Sequence, residues 1–230
     1  MTFRFGLVFA AAAVFLTGCA TPPQYPVALG TNTFAEQGLR VGVAMGKMPK
    51  VDTSFPGAGC LLCAAAASVA NSSLTAYTQT LPSDDLARLK TDIADALKLK
   101  GQVPVVIEEA ILVNDLPKST STVPNAARKD YSSLKAKYNI DKLVVVELSE
   151  VGITRPYSAY IPTGEPKGVV SGASYIVNLK DNSYEWYLPV SQQKGAQGPW
   201  DEAPKFPGLS NAYFQVVEEA RDSILKPLAN

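Results

Sequence analysis

Asp141-Lys142-Leu143-Val144-Val145-Val146-Glu147-Leu148 is the stretch that decides the fold. Its centre, Leu143–Leu148, is an almost unbroken apolar run, and the pattern reaches as far as Ile153. Alternate residues of a strand face opposite sides, so a run apolar at every position is a strand covered on both faces. That requires a sheet with helices packed on it.

The neighbouring segments supply those layers. Upstream, Arg128–Tyr138 places Tyr131, Leu134 and Tyr138 on one helical face. A polar loop, Asn114–Ala127, precedes it. Val103–Ile107 reads as a short strand that Pro104 places near an edge, unless the proline only marks its start. Ser83–Lys100 predicts a helix with Ser83 as N-cap, Asp84 and Asp85 in the first turn, Leu86, Leu89, Ile93, Ala96 and Leu97 on one face, and Gly101 as its stop. Gly38–Gly46 alternates Leu39, Val41, Val43 and Met45 on one face of a strand. Downstream, Val169–Leu179 and Tyr184–Val190 predict a hairpin turned at Asp181-Asn182, with Tyr184, Trp186 and Leu188 sharing a face. Ser210–Lys226 predicts a closing helix, capped by Ser210 and stopped by Pro227. The order is β-α-β-α-β-β-β-α. Early helical crossovers imply parallel strands and the later meander antiparallel ones. The expected class is α/β (α+β): one mixed sheet with helices packed on it, over residues 38–230.

The chain has 230 residues, 18% charged and 47% apolar, with Lys+Arg 21 against Asp+Glu 21. This balance gives no basic field to hold nucleic acid. There is no histidine, which excludes Ser-His-Asp and Cys-His nucleophile systems and histidine metal sites.

The amino terminus carries its own signal. Arg4 precedes an uncharged run, Phe5–Leu16, too short to span a bilayer, and Leu16-Thr17-Gly18-Cys19 follows it. This resembles the lipobox, L-x-G-C, of bacterial lipoprotein precursors. The resemblance implies that residues 1–18 are a removable signal peptide. It also implies that Cys19 becomes the mature first residue, carrying acyl chains on its thiol and amine as the one covalent lipid. Lipoproteins retained in the inner membrane often carry Asp after the Cys. Ala20 stands there instead, so the resemblance implies an outer-membrane anchor with the domain facing the periplasm. Thr21-Pro22-Pro23-Gln24-Tyr25-Pro26 reads as an extended tether within residues 19–37.

Asp141–Val146, together with Tyr175–Trp186 (Y-I-V-N-L-K-D-N-S-Y-E-W), resembles the α/β domain shared by the Tol-system amino-terminal domain and curli-secretion-type periplasmic lipoproteins. The resemblance covers roughly residues 38–226. That family usually carries Asp and Gly where this chain has Asn178 and Ser183. The Cys19 anchor, the proline tether and the absence of convergent catalytic groups point to envelope protein partners or a homo-oligomer, and to no catalytic residues.

Cys60-Leu61-Leu62-Cys63 is the cysteine constellation of the domain. Zinc needs four ligands and the chain offers neither a second C-x-x-C nor a histidine, so no metal is expected. A disulfide, unbridged packing and a redox couple are the remaining readings. A thioredoxin-like couple needs the pair at a helix start just after a strand, and a long loop from Gly46 argues against that placement. Residues 53–83 carry no charge. They suit a core helix under the sheet, or a loop touching the bilayer, an oligomer partner or a pore; Asn71, Ser72, Ser73 and Thr75 suit either. Gly42–Lys47 lacks the spacing of a phosphate loop. Asp84-Asp85, Glu108-Glu109 and Glu218-Glu219 are adjacent pairs whose carboxylates diverge, so they read as solvated surface. Tyr157, Tyr160 and Pro162 read as a packed loop or an exposed contact surface.

The expected function is therefore a lipid-anchored, non-enzymatic binding or assembly component. A periplasmic thiol–disulfide protein using Cys60 and Cys63, and a pore element built from residues 53–83, are the alternatives.

Overall fold

The computed structural model describes residues 24–202 and 205–229. Residues 1–18, read above as a signal peptide, and Cys19, Ala20 and Thr21–Pro23 lie outside the described residues. In chain order the elements are β1 (Arg40–Met45), β2 (Val51–Ser54), α1 (Leu61–Ala70), α2 (Ser72–Thr78), α3 (Asp84–Ala87), α4 (Leu89–Leu99), β3 (Val103–Val106), α5 (Ser132–Tyr138), β4 (Lys142–Thr154), β5 (Tyr157–Ser158), β6 (Ile161–Pro162), β7 (Lys167–Asn178), β8 (Ser183–Gly195) and α6 (Pro207–Ala229).

The main sheet runs β3-β1-β4-β7-β8, with β2 beside the far half of β4. β1 is parallel to β3 and β4, and β2 is parallel to β4, while β4, β7 and β8 form an antiparallel meander. This is the mixed α/β class expected. Pro104 sits on an edge strand as required, because proline has no N–H to give a second neighbour.

β4 is the central rail, and its apolar run is buried on both faces. Val144, Val146 and Leu148 point into one core with α4 and α6, where Leu89, Ile93, Leu97, Tyr213, Val216 and Ile224 meet them. Leu143 and Val145 point into a second core with Ile107, Tyr131, Leu134, Tyr175 and Val177. The register against β7 shifts between Leu148 and Glu150. A bulge of this kind turns every later side chain to the other face, so beyond it the odd positions Val151 and Ile153 join the α4–α6 core. Gly152 follows the bulge at φ +144, where a Cβ would stand 1.9 Å from the Asp52 carbonyl oxygen of β2. Only glycine admits that approach.

Several sequence readings change. A second register shift, between Ile176 and Val177 opposite Glu185, puts Tyr184 in the second core and Trp186 in the first. The two therefore do not share the predicted face. The helix expected over Ser83–Lys100 breaks at Arg88 into α3 and α4, and the Ser83 hydroxyl caps neither. Arg128–Tyr138 is helical only from Ser132, because Asp130 and Asn182 hold the preceding backbone in a turn. α6 begins at Pro207, so Ser210 lies inside it, its hydroxyl donating to the Phe206 carbonyl (2.9 Å). Pro227 is carried within the last turn rather than stopping the helix.

The hairpin turn does form at Asp181-Asn182. Asp181 Oδ1 accepts from the Ser183 amide (3.1 Å), and Asn182 takes φ 60. From Val27 the chain lies on the domain. Val27 pairs with Tyr187, and Leu29 and Phe34 pack against the first core.

Candidate functional site

Residues 53–83 build the candidate site. β2 ends at Ser54, and after Phe55-Pro56-Gly57 the chain enters α1, with α2 following through Asn71. α1 is not the core helix that its composition favours. It buries only Cys63 and Ala67, and Leu61 (88% exposed), Leu62 (70%) and Val69 (76%) stand in the open. The inward positions Cys63, Ala67 and Asn71 recur every four residues and are small or polar, while the bulky Leu61, Leu62 and Val69 fall on the other side. Small side chains let a helix approach closely, and the bulky ones are left outside.

What α1 approaches is a satellite core of Ala58, Cys63, Ala67, Tyr157 and Phe55, apart from the two sheet cores. Tyr157 stands edge-on to Phe55 at 5.8 Å. Gly57 admits the β5–β6 hairpin: its φ is +90, and a Cβ there would lie 1.9 Å from the Tyr157 carbonyl oxygen. The amide of Ala159 donates to the Gly57 carbonyl (3.1 Å) and the amide of Tyr157 to that of Pro56 (2.7 Å).

The loop Arg155–Lys167 therefore splits. Tyr157 is buried, whereas Tyr160, Ile161 and Pro162 are exposed. Ile161 is 69% exposed, and the Tyr160 hydroxyl lies 3.6 Å from the Cys60 sulfur. Leu61, Leu62, Val69, Tyr160 and Ile161 thus form an exposed apolar patch at this end of the molecule.

A polar brace fixes this end to the sheet. Asn71, 2% exposed, donates to the Ala67 carbonyl (2.7 Å) and places the same amide nitrogen 2.7 Å from the Tyr157 hydroxyl. Its Oδ1 accepts from Arg155 Nη1 (2.8 Å), and the Arg155 guanidinium lies 4.8 Å from the centre of the Trp200 ring. Thr53 and Thr75 hydroxyls meet at 2.6 Å and join β2 to α2. Arg155, Asn71 and Trp200 were not legible as a unit in the sequence. Residue size did not mark the inward face either, because the exposed Ala64, Ala65, Ala66, Ser68 and Ala70 are as small as the residues that pack.

Cys60 and Cys63 are bridged, with Cα atoms 4.9 Å apart. Cys60 is the N-cap of α1, its sulfur accepting from the Cys63 amide (2.9 Å). Cys60 is exposed and Cys63 buried. The pair therefore opens a helix close behind a strand, β2, and the long loop expected between Gly46 and the cysteines is not what separates them.

The other sequence candidates do not contribute to this patch. Gly42–Lys47 is β1 and its exit. The acidic doublets are tied up singly: Asp85 to Arg88, Glu108 to Lys90, Glu109 to Lys137, Glu219 to Lys194. The Tyr138 hydroxyl donates to Glu109 (2.6 Å) and, with help from the Glu109 backbone amide and Lys137, lowers that carboxyl to about 2. Among the described residues no group of three or more His, Cys, Asp or Glu gathers as metal ligands.

A second polar cluster sits under the opposite face of the sheet. The Tyr131 and Tyr175 hydroxyls meet at 2.9 Å, and Tyr175 donates to Glu147 Oε2 (3.2 Å) beside a cleft of about 310 Å³ lined by Gly46, Lys47, Ile111 and Asp115. Burial pushes the hydroxyls of Tyr131 and Tyr175 far up, and that of Tyr184 up to about 12. Such phenols stay protonated and serve packing.

No family model matches the sequence, and no curated relative does either. Among solved structures the fold is similar to a Xanthomonas campestris protein of the DUF330 family, XCC0632 (TM-score 0.40, 10% identity, 88% of this chain and 90% of that one). It is similar to a PelC dodecamer from Paraburkholderia phytofirmans (TM-score 0.37, 13% identity, 84% and 86%). The lipoprotein GNA1162 from Neisseria meningitidis is a third (TM-score 0.33, 10% identity, 79% and 99%). Likenesses this distant carry no functional inference.

Proposed function

We propose that this chain is a lipid-anchored, non-enzymatic binding component of the bacterial envelope, held on the outer membrane through Cys19 and facing the periplasm. One observation carries the reading: Leu16-Thr17-Gly18-Cys19 directly after the charge-free run Phe5–Leu16. Each buried methylene contributes about 0.8 kcal/mol, so two or more acyl chains on one residue hold a protein firmly on a bilayer. Anchoring raises the local concentration of the domain at the membrane, where weak contacts with envelope proteins or with other copies suffice. The test is the mass of the amino-terminal peptide from native membranes. The expected result is cleavage before Cys19 with fatty acyl groups on that residue; an unmodified end, or recovery in the soluble fraction, overturns the reading.

A second reading has its own observation. Cys60 is exposed at the start of α1 and Cys63 is buried behind it, the asymmetry that a thiol–disulfide couple uses, since a helix N-terminus favours the thiolate. A depressed Cys60 thiol pKa, together with insulin reduction that is lost in Cys60→Ser, would place this reading first.

A further inference from the structure

The exposed apolar end lies on the side toward which the strand direction at Val27 leads back. β4 runs toward Thr154, which pairs with Ser54 of β2 and with Lys167 of β7, and Lys167 pairs with Gly195 of β8. α1 and the β5–β6 hairpin leave the sheet at that end. Val27 pairs antiparallel with Tyr187, exchanging both backbone hydrogen bonds (3.0 and 2.9 Å). Because β8 runs toward Gly195, the chain that precedes Val27 leads back toward Gly195 as well. From Cys19 to Val27 the chain can extend at most about 29 Å, and from Tyr187 to Gly195 the strand covers about 26 Å. The tether is long enough to bring Cys19 level with α1. Cys19 therefore stays within about 29 Å of Val27, a reach that includes the level of α1.

We propose that Leu61, Leu62, Val69, Tyr160 and Ile161 rest in the interfacial layer of the bilayer that carries the Cys19 acyl chains, so that phospholipid is the occupant of this face. The inference rests on the lipid-anchor reading and adds an orientation to it. α1 spans ten residues, about 15 Å, half of a hydrocarbon core about 30 Å thick. Among the described residues no helix is long and apolar enough to cross a membrane, so α1 lies along the surface rather than through it. Its outward face carries no charge to desolvate. Tyr160 offers an apolar ring with a polar tip, the side chain suited to a boundary between headgroup and hydrocarbon. The disulfide at the first turn and the Arg155–Asn71–Tyr157 brace keep the face in place before it meets lipid.

The test uses the full-length lipidated protein in phosphatidylethanolamine–phosphatidylglycerol vesicles, with a photoreactive benzoylphenylalanine at Leu62, Ile161 or Leu99. Leu99 is 90% exposed and apolar but lies at the opposite end of the sheet, next to the start of β3. The expected result is a phospholipid adduct at Leu62 and Ile161, with none above background at Leu99. An adduct with a second copy or another protein in place of lipid, or equal labelling at all three positions, overturns the inference. The amino-terminal mass of the same sample separates the two readings. Acylated Cys19 without lipid adducts sinks the orientation alone, and unacylated Cys19 removes both. Val69 supplies a further position should either variant lose its circular dichroism signature.

Discussion

α4 and α1 are of nearly equal length, eleven and ten residues, yet they turn opposite kinds of face to the protein. α4 buries Leu89, Ile93 and Leu97 every four residues and leaves Lys90, Asp92, Asp95 and Lys98 on its polar side. α1 buries Cys63 and Ala67 with the same spacing and leaves Leu61, Leu62 and Val69 outside. Apolar content alone does not say which side of a helix is inside. The charges of α4 label its solvent face, and α1 has none, so its bulk can point outward without leaving a trace in the hydropathy pattern.

The largest effect that can test this contrast is a matched truncation. Ile93→Ala empties a fully buried site in α4 and should cost about 2–5 kcal/mol in urea unfolding. Leu62→Ala should fall within about 0.5 kcal/mol. A comparable cost at Leu62 would mean that α1 is covered by protein in solution.

Alkaline pH separates the regions by chemistry. The Tyr184 hydroxyl is raised from 10.0 to about 12, first by burial, and Tyr131 and Tyr175 are raised beyond it. The folded state therefore keeps protons that the unfolded chain releases. The stability tied to these groups is complete below pH about 10 and is lost as pH climbs toward about 12, by about 3 kcal/mol for Tyr184 alone. Circular dichroism should fall together with the appearance of tyrosinate absorbance. Ionisation of these tyrosines near pH 10, with the fold intact, would contradict the buried network.

Smallest and most local is Arg155→Ala, which leaves the buried Asn71 Oδ1 without its donor at about 1–3 kcal/mol. Hydrogen exchange should quicken in α1 and α2 while β4 and β7 keep their protection. Uniform loss across the sheet would show that the satellite core is not a separate unit.

The sheet was legible where one physical rule governs. Leu143–Leu148 had to be covered on both faces, Pro104 had to sit at an edge or at a strand start, and Asp181-Asn182 had to turn. What escaped depends on contacts between distant residues. The register shift opposite Glu185 is set by pairing between β7 and β8, and no local pattern around Tyr184 announces that it leaves the face of Trp186. The orientation of α1 is set by Tyr157 and Arg155, more than eighty positions away in the chain. Spacing alone could put Cys60 near Cys63, but the strand ahead of them, β2, is too short and too polar to read. Cys19 was legible as a motif and lies outside the described residues.

The pairing of Val27 with Tyr187 has a mechanical consequence. The bridge is antiparallel, so a pull directed along β8 from the amino-terminal side acts lengthwise on that pair. Both of its hydrogen bonds lie across the strands, and a lengthwise pull shears them together instead of unzipping them in turn. Load then passes into β8 and the sheet behind it, and α1, which hangs from the turn after β2, stays out of the force path.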